Sequence, residues 1–168
     1  MQARKLTKPA VRPFQFSLRI RHPSIDPAEL SREFGVEPEH SYRAGEQRAL
    51  RSVAGTSSVH AESYWLGALD PFDWPQDISS PGHAKLQLAL EHLRQTATDS
   101  FGWALTLTAA RFLRVHGDLL RRVASEGGQT TLLVALSASE VDSFTLMPEA
   151  SRILGDLSIA VEFEFVED

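Results

Sequence analysis

Residues Phe14-Gln15-Phe16-Ser17-Leu18-Arg19-Ile20-Arg21 alternate without exception between apolar and polar side chains. A period of two is the signature of a β-strand with one buried face and one wet face. Phe14, Phe16, Leu18 and Ile20 share the face meant for a core. Such a strand is useless alone. It requires neighbouring strands and a layer that covers its apolar side.

The rest of the chain supplies both. After the break at His22-Pro23-Ser24, Asp26-Pro27 reads as an N-cap followed by a first helical residue, and Glu29 adds a favourable first-turn charge. Leu30 and Phe34 fall one turn apart, and Gly35 is a stop signal, so a short helix is expected over 27–34. Residues 36–62 hold Pro38, Gly45 and Gly55 and read as irregular, with a small-residue stretch at Ser57-Ser58. Tyr64 to Leu69 reads as a second strand. Pro71 and Pro75 then hold a loop from Asp70 to about Gly82.

Leu86, Leu90 and Leu93 recur at helical spacing within a helix expected over 84–97. Between Phe101 and Val123 two periods compete. Trp103, Leu105 and Leu107 alternate, whereas Leu113, Leu119, Leu120 and Val123 fit a helix better. Further helix ending at Gly127-Gly128 is the favoured reading. Thr130 to Leu136 is apolar on both faces, as a central strand is. Phe144-Thr145-Leu146 reads as a short edge piece, Pro148 to Gly155 as a short helix, and Leu157 to Val166 as the last strand. In that strand Ile159, Val161, Phe163 and Phe165 oppose Glu162 and Glu164. The two Pro-started, Gly-ended helices, 26–35 and 147–155, resemble each other. Shared capping chemistry accounts for this, as would two related βαβ-like halves. The expected fold class is α+β: a mostly antiparallel sheet of about four to five strands covered by helices, with split-βαβ (ferredoxin-like) character. Residues 1–12 are read as a basic, flexible arm and 13–168 as a single domain.

Composition removes several chemistries. The chain has 168 residues, no Cys and a net charge of −5. Disulfide scaffolds, cysteine-ligated zinc and cysteine nucleophiles are therefore excluded. No apolar run approaches the roughly 20 residues that span a bilayer. The opening stretch is basic without an apolar core, unlike a secretory signal, so a cytoplasmic protein with no membrane role is expected. The charge is also polarised. Residues 1–22 carry six basic side chains and no acid, whereas 127–168 carry eight acids and Arg152 alone as a base. Overall negative charge disfavours binding to phosphate backbones, so no nucleic acid is expected. Gly-x-Gly, a P-loop, Gly-x-Ser-x-Gly and His-Glu-x-x-His are all absent, and no two histidines stand three or four residues apart. The histidines read as surface or capping residues. Asp70, Asp73 and Asp77 lack calcium-loop spacing and read as turn formers. Glu37, Glu39 and His40 read as a solvated loop. No metal or other cofactor is expected.

One constellation stands out. Tyr42, Arg43, Tyr64, Trp65, Phe72 and Trp74 concentrate aromatic and Arg residues within 42–74. Trp65 and Phe72 suit a core. Yet Tyr, Trp and Arg are also the residues that anchor interfaces, and Trp74 sits in a stiff loop. Tyr42, Arg43, Trp65, Phe72 and Trp74 are therefore the candidate partner- or ligand-binding residues.

The motifs Asp26-Pro27, Leu30, Phe34-Gly35-Val36, Pro38, Tyr42-Arg43-Ala44-Gly45, Tyr64-Trp65 and Leu154-Gly155-Asp156-Leu157-Ser158-Ile159 resemble a bacterial family, domain of unknown function 4279. The likeness covers about 14–166. Tyr42 stands where that family usually has Trp, and residues 99–117 look like extra material. The resemblance implies a compact bacterial α+β domain without an established activity. Relatives of that family near toxin genes imply immunity-type binding. Together these readings favour a non-catalytic protein-binding module with a protein partner, a basic one in particular. The alternatives are a small-molecule-binding regulatory domain, with a pocket under the 70–83 loop, and an enzyme whose His40 or His60 meets a carboxylate.

Overall fold

The computed structural model describes residues 14–47, 59–70, 100–137 and 143–166. The alternating segment forms β1 (Phe14–His22). Helix α1 (Pro27–Phe34) follows, capped by Asp26, whose carboxylate accepts the Ala28 N–H at 2.9 Å. It ends at Gly35, which adopts the left-handed conformation at φ 65° that a residue without Cβ reaches at no steric cost. Next come β2 (His40–Tyr42) and β3 (Ser63–Leu69). Helix α2 (Ser100–Leu107) continues into a π-helical segment (Thr108–Leu113), and α3 (Gly117–Ser125) follows. The chain closes with β4 (Gln129–Ser137), α4 (Pro148–Asp156) and β5 (Ala160–Val166).

The strands form one sheet in the order β2-β3-β1-β4-β5. β1 is antiparallel to both β3 and β4, β2 is antiparallel to β3, and β4 is parallel to β5. Thus β3 lies between the parallel strands β1 and β2, and β1 lies between the parallel strands β3 and β4. These are two interlocked split βαβ units, the ferredoxin-like arrangement. The pair α4–β5 then adds a fifth strand through an ordinary βαβ crossover. The two similar helices α1 and α4 therefore both sit in crossovers, but of different kinds, one split and one between adjacent strands.

Among the described residues the core lies on one side of the sheet. Phe16, Leu18 and Ile20 of β1, Trp65 of β3 and Leu132, Val134 and Leu136 of β4 meet Leu30, Leu105, Leu113, Leu120, Val123 and Leu154 from the helices. Trp65 is wholly buried. Its ring lies 5.2 Å from that of Phe34, and its indole N–H donates to Ser31 Oγ at 3.0 Å. The same ring folds over Gly67, where a Cβ would come within 2.4 Å of it. At the end of β1, buried His22 accepts the N–H groups of Ser24 (3.1 Å) and Ile25 (2.8 Å) at Nδ1. That places its proton on Nε2, 3.2 Å from Glu126.

Several expectations need correction. The segment read as irregular contains β2, too short for any period to register. Phe144-Thr145-Leu146 is not a strand; Phe144 instead packs its ring on Phe163 (4.8 Å) and Phe101 (5.0 Å). The last strand starts at Ala160, because Leu157 and Ser158 turn out of α4 and Ser158 takes φ 54°. Phe165 belongs to the apolar row of β5 yet is 60% exposed. The 101–123 region is helical as favoured except for a turn at 114–116, after which Gly117 opens α3. His116 is neither a surface nor a capping histidine through its side chain: it packs among Phe34 and Phe112. The basic arm and the 84–97 helix lie outside the described residues.

Candidate functional site

Because the helices gather on one side, the other face of the sheet is left open among the described residues. Register defines it. Tyr64 stands beside Arg21, Leu66 beside Arg19 and Ala68 beside Ser17. Across β1, Arg19 stands beside Thr131 and Ser17 beside Leu133, and Leu133 stands beside Glu162. Leu66, Leu133 and Ala135 are half-buried and are not part of the core.

Three chemical zones cross this face. At the β2 end, Tyr42 is stacked between His60 (3.6 Å, 20° between planes) and Tyr64 (5.1 Å, 13°), with His40 beside both tyrosines at 5.7 Å. Backbone bonds hold this cluster: Gly45 N–H donates to His60 O (2.8 Å), and His60 N–H donates to Glu46 O (2.9 Å). Burial pushes the Tyr64 hydroxyl above its ordinary range, while Arg19 and Arg21 pull it back. In the middle, Arg19 bonds Glu162 at 2.6 Å and Arg21 lies 3.6 Å from Glu62. At the β5 end, Glu162 and Glu164 form an acidic rim. A concavity of about 420 Å³ spans middle and rim, lined by Gln15, Ser17, Arg19, Leu133, Glu162 and Glu164 among others. A second hollow, of about 360 Å³, lies beside Tyr42, His60 and Arg21.

The candidate residues read from the sequence separate. Tyr42 is at the centre of the aromatic zone. Arg43 is exposed and pairs with Asp26, tying the chain after β2 to the start of α1. Trp65 fills the core instead of lining a surface. Phe72 and Trp74, and with them the pocket expected under the 70–83 loop, lie outside the described residues. His40 and His60 are both set against tyrosine rings. Among the described residues no group of three or more His, Asp or Glu side chains is placed to hold a metal ion, and no helix is long and apolar enough to cross a membrane.

Sequence reasoning missed Arg19, His60, Tyr64, Glu162 and Glu164 as one surface. Alternation already put Arg19 and Glu162 on wet faces. Only the strand order, with β4 between β1 and β5, brings them together. No protein-family model, curated protein or solved structure matches the chain, and the resemblance to the 4279 family rests on the sequence motifs alone.

Proposed function

We propose that the protein is a non-catalytic protein-binding module that docks its partner on the open sheet face. The observation that carries this reading is the one-sided packing among the described residues: their helices cover one side of the sheet, and the other offers half-buried apolar groups between an aromatic cluster and an acidic rim. Interfaces favour this mixture of aromatic anchors, Arg and a polar margin. The acidic rim and the net charge of −5 favour a basic partner, whose capture they would accelerate by long-range attraction. An immunity-like or antitoxin-like role is the finer reading; it rests on the family resemblance and on this charge.

A photo-crosslinking residue placed at Leu133, on the open face, is the test. The control carries it at Ala124, on the exposed side of α3. In the native host the Leu133 probe is expected to capture a defined basic protein that the Ala124 probe does not. Identical capture from both positions, or none from Leu133, would refute the reading.

A further inference from the structure

β5 is an edge strand among the described residues: it pairs with β4 on one side and ends the sheet on the other. An edge presents backbone N–H and C=O groups to any extended chain of suitable pattern. Natural sheets usually blunt such edges with bulges, prolines, very short strands or charged side chains. β5 has only the last of these, Glu162 and Glu164; its seven residues, Ala160–Val166, pair in unbroken register with β4, so the edge discriminates by charge rather than by shape.

Its two faces differ sharply. On the helix side, Val161 and Phe163 are half-buried and Phe165 is exposed. Phe144, stacked on Phe163, and nearby Leu146 add further exposed apolar surface. On the open face stand Glu162 and Glu164. Glu162 is engaged by Arg19.

A second copy of the chain is a poor occupant. Two β5 strands paired antiparallel about a twofold axis would oppose like residues. In registers centred on Glu162, Phe163 or Glu164, a glutamate faces a glutamate of the other copy. Like charges directly opposite are destabilising in a sheet. The pattern instead fits a strand with apolar residues on one face and Lys or Arg on the other. Resting on the protein-binding reading above, we propose that β5 is the site where an extended segment of a basic partner protein adds to the sheet. Its alternate Lys or Arg side chains would face Glu162 and Glu164, and its apolar side chains would continue the row of Val161, Phe163 and Phe165.

The test uses the isotope-labelled full chain and capped peptides of the length of β5. One peptide alternates Val and Lys, a second has Glu for each Lys, and a third is the Lys peptide N-methylated at alternate residues. The Lys peptide is expected to shift amide resonances in β5 and β4. The Glu peptide is expected to bind at least roughly tenfold more weakly, because two cross-strand charge pairs change sign. N-methylation is expected to abolish binding, since it removes the edge hydrogen bonds. The variant Glu164→Lys, checked for an unchanged fold by its spectrum, is expected to abolish the preference between Lys and Glu peptides, because each then makes one attractive and one repulsive pair. Equal binding of both peptides to the unsubstituted chain, insensitivity to N-methylation, no binding of the Lys peptide, or self-association through β5 would each overturn the proposal. If the peptides fail while the Leu133 probe still captures its basic protein, only the strand-addition inference falls. If both fail, the binding reading falls too.

Discussion

Arg19 on β1 reaches over the intervening strand β4 to Glu162 on β5, with 2.6 Å between Nη2 and Oε2. This bond joins the basic beginning of the chain to its acidic end. The Arg19 side chain is 25% exposed and that of Glu162 is 55% exposed, so water screens the pair. A double-mutant cycle with Arg19→Gln and Glu162→Gln should therefore give a coupling of about 0.5 kcal/mol, shrinking in added salt. A coupling above about 2 kcal/mol in urea unfolding would mean that the pair is far drier than its exposure indicates.

Trp65 and Tyr42 were equal candidates in the sequence, and their truncations should now differ. Trp65→Ala removes a wholly buried ring and should cost about 3–5 kcal/mol. Tyr42→Ala loses its stacking on His60 and Tyr64 at a half-exposed site and should cost about 1 kcal/mol. Chemical denaturation of both variants checks the contrast. Similar losses would contradict the assignment of one residue to the core and the other to the surface.

Gly67 on β3 has no room for a Cβ. A methyl group there meets the Trp65 ring, which cannot retreat without disturbing Phe34 and the bond to Ser31. Gly67→Ala should cost about 1–3 kcal/mol, although alanine suits a strand at least as well as glycine. A shifted Trp emission spectrum should accompany the loss. A neutral effect would show that the ring has another place to go.

His116 links stability to pH. Burial between Phe34 and Phe112 lowers its pKa from the ordinary 6.5, and Glu33 opposes this only in part. The folded state thus binds its proton less readily than the unfolded chain. Stability from this site is complete above about pH 6.5 and is lost as pH falls from there through the folded pKa. The melting temperature should drop between pH 7.5 and 5.5, and His116→Phe should flatten that slope. An unchanged slope in the variant would assign the dependence to other groups.

Much of the fold was legible because its signals are local. Asp26 and Gly35 bracket α1 by capping chemistry, and strict alternation in 14–21 and 159–165 places two strands to within a few residues. What stayed hidden depends on distant partners. β2 is three residues held by pairing with β3, and nothing in His40-Ser41-Tyr42 alone demands a strand. Phe144 looks like strand material, but its ring is claimed by Phe101 and Phe163. The candidate surface was half legible for the same reason. Tyr42 was marked by its type. Its partners His60 and Tyr64, and the alignment of Arg19 with Glu162, arise from strand order, which no single segment encodes.

The sheet also sets a timetable for its own assembly. β1 is synthesised first, yet it occupies the middle of the sheet, where Phe16 lies against Leu69 on one side and Val134 on the other. The second of those neighbours does not exist until β2, β3, α2 and α3 have been made. Until then the nascent polypeptide carries a fully apolar strand face with only half its lateral support, the kind of exposure that calls for chaperone protection. β5 meets the opposite circumstance: it arrives last, at a sheet that is already closed around its centre.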